Sequence, residues 1–121
     1  MMSDPTIRAY FEANKCLMNV SRDMPLGVSL AFLGSAIWGQ DRDDLSDPLT
    51  LEDLAARVGA SPSTISQHLR YLSYGYRAGT PGLGLVETAE NTDNRRKKVF
   101  YLTPKGKGLV SQLQFIFSKA L

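Results

Sequence analysis

Residues that cross-link chains or bind metals are scarce in this sequence. Its 121 residues include one cysteine, Cys16, and one histidine, His68. A single cysteine cannot form a disulfide within the chain, and these two residues cannot supply the four ligands of a tetrahedral zinc site. The sequence therefore predicts no internal disulfide, no metal site and no cofactor.

Long apolar segments are also missing. The longest, residues 25–39, is too short to span a bilayer and contains three glycines. The first residues lack the basic region and apolar core of a signal peptide. We expect a cytoplasmic protein that does not interact with membranes.

Side-chain combinations typical of enzymes are not found either. The sequence shows no supported Ser/His/Asp arrangement and no paired carboxylates in an apolar setting. The glycines at 79, 82 and 84 lack the strand, helix and lysine of a nucleotide-binding loop. The sequence predicts that the protein is not an enzyme.

Charge is present but unevenly distributed. The formal net charge is only +2. Residues 1–57 carry five basic and nine acidic side chains, whereas residues 58–108 carry eight basic and three acidic ones. An acidic first half and a basic second half are expected when one face of a protein approaches a polyanion.

Start and stop signals divide the chain, which has the length of one domain, into helices followed by a hairpin and a last helix. Apolar patterns predict helices over residues 5–20 and 26–38, the second buried at the centre of the fold. Two further helices lie within residues 50–74, joined by "GAS". Residues 74–84 read as a loop, "LVETA" and "KKVFYLT" as strands, and a last helix follows Thr103-Pro104. The pattern is α+β, mainly helical, with a two- or three-stranded wing at 84–103: a winged helix-turn-helix.

The two helices within residues 50–74 have the features of a helix-turn-helix. Thr50 and Asp53 are spaced as a capping box, and Ser61 is the expected N-cap of the second helix. Ala55 is small enough for the second helix to pack closely, and Gly59 lies where the turn needs a positive φ.

The outward face of the second helix carries polar side chains that suit hydrogen bonds to base edges and phosphates. The alternative is an ordinary solvated face. The predicted DNA contacts of this helix are Ser61, Ser63, Thr64, Ser66, Gln67, Arg70 and Tyr74.

Four consecutive cations, Arg95, Arg96, Lys97 and Lys98, follow the turn "NTDN" at the predicted hairpin tip. A basic run alone is as often a solubilising surface. Beside a helix-turn-helix, it is positioned to reach the minor groove or the phosphates next to the recognition helix.

Residues 49–72 and 84–113, above all "NRRKKVFYLTPKGKGL", resemble the MarR-type winged-helix transcriptional regulators. The helix-turn-helix part is shared by many bacterial regulators, including ArsR-type ones. The resemblance implies a homodimer joined through residues 1–22 and 104–121, a pseudo-palindromic operator, and a wing arginine, Arg95 or Arg96, in the minor groove. Three departures are Asn94 where aspartate is common, extra residues in "YRAGTPG", and a C-terminal helix of about 18 residues.

Three further features have two interpretations each. Cys16 is either a redox sensor, as in one MarR subgroup, or a small buried side chain. His68 is expected to pack or cap rather than bind a ligand. Trp38, Phe32 and the tyrosines form either the core or a pocket for a small-molecule effector.

Together these observations predict a dimeric, sequence-specific regulator of transcription that binds double-stranded DNA, most simply a repressor. Two alternatives stay open. One is a winged-helix module that binds protein, and the other is a non-specific or replication-associated DNA-binding protein.

Overall fold

A computed structural model describes residues 4–39, 49–77, 79–90 and 98–120. These residues form five helices and four short strands. The helices are α1 (Pro5–Val20), α2 (Leu26–Trp38), α3 (Leu51–Val58), α4 (Pro62–Leu72) and α5 (Pro104–Ser118), and the strands are β1 (Gly75–Arg77), β2 (Thr80–Pro81), β3 (Val86–Glu90) and β4 (Lys98–Leu102). The winged helix-turn-helix fold is confirmed. Within this part of the chain, no helix is long and apolar enough to cross a membrane.

Helix starts follow the local signals in the sequence. The Asp4 side chain accepts hydrogen bonds from the backbone N–H groups of Thr6 and Ile7 and so caps α1. Thr50 and Asp53 form both hydrogen bonds of a capping box at α3. Thr103 caps α5. Each cap satisfies backbone donors that the first helical turn leaves without partners.

The core lies where α2, α3 and α4 meet the β3–β4 ribbon. Helix α2 contacts both helices of the helix-turn-helix as well as β4, while α1 packs mainly on α5. The largest fully buried side chains are Phe32, Phe100, Leu54, Ile65, Leu69, Leu72, Leu85, Val86 and Val99. The wing base and the recognition helix therefore share one core, which fixes their relative position.

Helix α1 buries a different face from the one expected from its large apolar residues. Its buried residues are Ala9, Ala13 and Leu17. The larger Ile7, Tyr10, Phe11 and Met18 are exposed in the single chain. Small side chains let α1 and α5 approach closely, and this leaves the bulky ones outside.

The expectation that α2 is buried on all sides is wrong for one face. Val28, Ala31 and Phe32 are buried, but Leu26, Leu30, Leu33 and Ile37 remain exposed. These four residues are spaced at i, i+4, i+7 and i+11 and so form one stripe on the helix. Helix α2 is thus apolar on two faces, and within the described residues only one of them is covered.

The wing is an antiparallel ribbon of β3 and β4. Its register pairs Val86 with Leu102 and Glu90 with Lys98. Thr50, just before α3, adds an isolated bridge to Val99, so the ribbon is anchored to the helix-turn-helix. The segment 91–97, which joins the strands, lies outside the described residues.

The segment expected to be a loop after α4 contains a short hairpin. Strands β1 and β2 pair in an antiparallel manner with an irregular register. The chain then returns beside the end of α4, where Gly82, Leu83 and Leu85 donate backbone hydrogen bonds to Tyr74, Tyr71 and Leu72. The two strands were not predicted because each is only two or three residues long. The glycines and the proline of this segment are also typical of turns.

Candidate nucleic-acid interface

A left-handed turn at Gly59 joins α3 to α4. Gly59 has φ +85°, and both its N–H and that of Ala60 donate to the carbonyl of Ala55 at 2.9 Å. Ala55 itself is buried. The predicted roles of Ala55 and Gly59 are confirmed, because the small residue permits the approach of α4 and the glycine permits the turn.

Helix α4 has one buried face and one polar face. Ile65, Leu69 and Leu72 are fully buried. On the opposite side Ser63, Gln67 and Arg70 are exposed, and Tyr74, which lies beyond the end of the helix, is exposed as well. The helix is thus held rigidly by its apolar stripe, and the predicted recognition face is accessible.

Three predicted contact residues at the start and edge of α4 have more restricted positions. The Ser61 hydroxyl caps the helix by accepting from the Thr64 N–H at 3.2 Å and donating to Thr64 Oγ1 at 2.9 Å. Thr64 and Ser66 are half-buried. Ser61 therefore orients the helix terminus, while Ser66 faces the wing.

Tyr74 lies just beyond the C-terminus of α4 and packs on Gly84. A Cβ atom at Gly84 would lie 2.7 Å from Tyr74 Cε1, so only glycine leaves room for this ring. About half of the tyrosine surface remains exposed. The aromatic side chain is consequently fixed on one side and available for contact on the other.

A polar cleft separates α4 from the wing base. It has a volume of about 210 Å³ and is lined by Leu51, Ser66, Leu69, Arg70, Ser73, Gly75, Thr88 and Lys98. Arg70 comes from the recognition helix and Lys98 from the first position of β4. The fold thus brings together two predicted contact residues that are 28 positions apart in the sequence.

The remaining wing-tip cations, Arg95, Arg96 and Lys97, lie outside the described residues. Their predicted contacts with DNA stay predictions. Lys98 alone of the four is described, and it is exposed.

Cys16 has the environment of a packed thiol. It is half-buried between α1 and α5, where its Sγ donates to Gln112 Oε1 at 3.2 Å. Burial raises the pKa of the thiol. The neighbouring cation, Lys15, lies over the Phe11 ring, with its Nζ 5.6 Å from the ring centroid.

The other residues with two interpretations also lie in packed positions. The His68 ring is half-buried and contacts α2, since a Cβ atom at Gly27 would lie 2.9 Å from Nε2. Phe32 is buried in the core, and Trp38 stacks beneath the Arg57 guanidinium at 4.9 Å from the ring centroid. Phe32 is therefore unavailable to an effector.

A separate apolar groove was not predicted from the sequence. It lies between α1, α2 and α5 and encloses about 530 Å³. The exposed stripe of α2 forms one wall, and Tyr10 and Phe117 contribute aromatic rings from α1 and α5. The only signal in the sequence was that α2 is apolar on more faces than one core requires.

The fold and the placement of α4 beside a wing define a class, the winged helix-turn-helix proteins. The sequence profile described as bacterial regulatory protein, arsR family, matches residues 45–73, which span the start of α3 to the end of α4. No curated protein matches the sequence significantly.

Solved structures with this fold include several MarR-family regulators. The S. aureus MepR–DNA complex has a TM-score of 0.70 and 21% identity, over 94% of this chain and 79% of that one. PcaV of Streptomyces coelicolor, in complex with its natural ligand, has a TM-score of 0.58 and 18% identity, over 95% and 72% of the two chains. The MarR family transcription regulator SP03579 also has a TM-score of 0.58 and 18% identity, over 97% and 71%. The chain therefore has the MarR-type fold.

Proposed function

We propose that this protein is a sequence-specific regulator of transcription that binds double-stranded DNA. The observation that carries the proposal is the exposed polar face of α4, which is capped, rigidly packed behind, and flanked by Lys98 of the wing. The fold is shared with MepR, which has been crystallised with DNA. This combination presents hydrogen-bonding side chains to a major groove and a cation to the adjacent backbone.

Recognition follows from the chemistry of this face. The Gln67 amide can donate and accept at once, which suits paired hydrogen bonds to an adenine edge. Ser63 is small and polar and allows close approach of the helix. A protein bound in this way would cover an operator and exclude polymerase, so repression is the proposed outcome.

A selection from random duplexes, followed by fluorescence anisotropy, tests the proposal. The selected duplex should bind about 10³-fold more tightly than random DNA, and binding should weaken steeply with salt. Gln67→Ala should lose affinity for the selected duplex only. Gln114→Ala, which removes the same amide from α5, is the matched control. If no duplex binds in a salt-dependent manner, the protein-binding module becomes the better explanation; equal binding to every duplex would instead favour the non-specific DNA binder.

The wing tip is proposed to contact the minor groove through Arg95 or Arg96, with Lys97 and Lys98 near the backbone. Arginine side chains are favoured where the minor groove is narrow and strongly negative. Arg96→Ala should therefore lower affinity most for duplexes with A·T base pairs beside the selected site. An equal loss with G·C base pairs at that position would contradict a minor-groove contact.

The protein is further proposed to act as a homodimer through α1 and α5. Ile7 and Phe115 are more than 60% exposed in the single chain, and Phe11 nearly so. Large apolar side chains that cluster on two terminal helices are typical of surfaces that a partner covers. A second copy suits them best because a dimer would present two recognition helices to a pseudo-palindromic operator.

The groove between α1, α2 and α5 is proposed to accept a small apolar effector. Its volume lies within the range of small-molecule sites. PcaV with its natural ligand and MepR with ethidium bromide show that proteins of this fold bind small molecules. A ligand in this groove should raise the unfolding temperature and change DNA affinity, and Leu33→Trp should block both effects by filling the groove.

A further inference from the structure

We propose that the cleft between α4 and the wing base is a seat for one phosphate of the DNA backbone, held jointly by Arg70 and Lys98. The inference rests on the proposed DNA-binding function and assigns a distinct task to one part of the interface. It also assigns Arg70 to the DNA backbone rather than to a base edge.

The lining of the cleft has the composition of a phosphodiester site. Among the side chains that the structure describes, it contains two cations and the hydroxyls of Ser66, Ser73 and Thr88, and no carboxylate. A phosphate group accepts several hydrogen bonds from such donors, and these bonds are stronger when the donor is charged. A volume of about 210 Å³ admits a phosphate group but leaves no room for a base pair.

Strand geometry directs Lys98 toward the recognition helix. In the register of the ribbon, Lys98 is two residues from Phe100, so both side chains lie on the same face of β4. Phe100 is fully buried in the shared core. Thr88 lies on that face of β3, directly opposite Phe100. The Lys98 ammonium group therefore faces α4, whereas Val99 and Tyr101 lie on the other face of β4.

Helix geometry places Arg70 at the same cleft. Ser66 and Arg70, at i and i+4, lie on the side of α4 that faces the wing, and Ser73, the C-cap residue of the helix, lines the same cleft. The Ser73 hydroxyl donates to the Arg70 carbonyl at 2.7 Å, so its proton is already used. The donors left for a phosphate are the Arg70 guanidinium, the Lys98 ammonium and the hydroxyls of Ser66 and Thr88.

The hairpin after α4 borders the cleft at one residue. Gly75, the first residue of β1, contributes to the lining and has open space around the position of a Cβ atom. The absence of a side chain there keeps the cleft accessible to the DNA backbone.

The positions of Gln67 and Arg70 on α4 give them different roles in this proposal. Gln67 and Arg70 are three residues apart and point about 60° from one another around the helix axis. Arg70 turns toward the wing, and Gln67 remains at the centre of the outward face. Base recognition is therefore assigned to Gln67, and the position of the helix relative to the backbone to Arg70 with Lys98.

The first test compares Arg70→Ala, Lys98→Ala and Gln67→Ala in the full chain on selected and random duplexes. Arg70→Ala and Lys98→Ala should each weaken binding to both duplexes by about tenfold, and each should reduce the salt slope by about 0.9. Gln67→Ala should reduce affinity for the selected duplex alone. Lys107→Ala, an exposed cation on α5 outside the cleft, controls for the loss of one charge.

The second test locates the phosphate. Methylphosphonates, which carry no charge, replace the phosphates of the selected duplex one at a time. One position in each half-site should weaken binding of the wild-type protein but cause no further loss for Arg70→Ala or Lys98→Ala. Thermal unfolding followed by circular dichroism verifies that both variants are folded, as expected for substitutions of exposed side chains.

The results of these tests distinguish a failure of the phosphate seat from a failure of the proposed DNA-binding function. If wild-type protein binds no duplex, the proposed function fails, and the seat fails with it. If wild-type protein binds but no single methylphosphonate position loses its effect in both Arg70→Ala and Lys98→Ala, only the seat is wrong. A loss of affinity by Arg70→Ala that is confined to the selected duplex would instead assign Arg70 to a base edge.

Discussion

Gly59 shows how a single residue sets the geometry of the interface. Its φ of +85° is strained for any residue with a Cβ atom, although open space surrounds the position of that atom. Gly59→Ala should therefore lower the free energy of unfolding by about 1–2 kcal/mol through backbone strain alone. Urea denaturation measures this. Gly75→Ala, which also has open space but no positive φ, should change stability far less.

Cys16 provides a second prediction for a single residue. Burial raises the pKa of its thiol above the ordinary value of 9.0, so less thiolate is present at neutral pH than in a free cysteine. Alkylation by iodoacetamide should be slow at pH 7, and the midpoint of its rise with pH should lie above that of a free cysteine. A midpoint below that of free cysteine would reinstate a sensing role.

Single residues predicted the structure correctly where their effect depends only on near neighbours in the sequence. Thr50, Ser61 and Thr103 cap the helices that their positions predicted, because a cap depends only on residues within one turn. The thiol environment of Cys16 was not predictable. Its burial arises from α5, nearly a hundred residues further along the chain.

At the scale of elements, α5 depends on close contact with the loop before β3. The Thr103 hydroxyl, which caps α5, donates to the Gly84 carbonyl at 2.6 Å. A Cβ atom at Gly106 would lie 2.1 Å from the Leu85 carbonyl oxygen. The helix start is thus docked directly on backbone, with no space for a side chain.

Two glycines in α5 consequently make a matched pair. Gly106→Ala should lower the free energy of unfolding by about 3 kcal/mol because the helix must move away from Leu85. Gly108→Ala, two residues further and with open space around it, should raise that free energy by about 0.5–1 kcal/mol through better helix propensity. Equal effects in urea denaturation would contradict the close contact.

The boundaries of the helices were largely predictable from the sequence. Which face of each helix is buried was not. The bounds of α1 and α2 match those read from the sequence. Their buried faces differ from expectation because apolar side chains contact either the core of the same chain or a partner, and local patterning does not distinguish these. The hairpin β1–β2 was missed for another reason: its glycines and proline are typical of loops.

For the whole molecule, the exposed apolar stripe of α1 leads to a prediction about assembly. Phe11→Glu should convert the proposed dimer to a monomer, because an ionised carboxylate in an apolar interface is strongly unfavourable. Light scattering after size exclusion measures the mass. Ala56→Glu introduces the same charge at an exposed position of α3 and should leave the dimer intact.

Two results would contradict this assembly. One is a monomeric wild-type protein at high micromolar concentration, and the other is a Phe11→Glu variant that remains dimeric. Either would also remove the basis for a pseudo-palindromic operator, since one recognition helix reads one half-site.

The sequence by itself determined the order of the five helices and the two wing strands, the caps of α3 and α4, the glycine turn and the polar face of the recognition helix. These features depend on hydrogen bonds and backbone preferences within a few residues, and they can therefore be identified from the sequence. Only the tertiary structure decided that Arg70 and Lys98 share one cleft, that Cys16 is shielded, and that large apolar residues of α1 and α2 lie outside the core. Such proximities arise from packing between distant segments, where the volumes of Ala9, Ala55 and Gly106 determine how closely the helices approach.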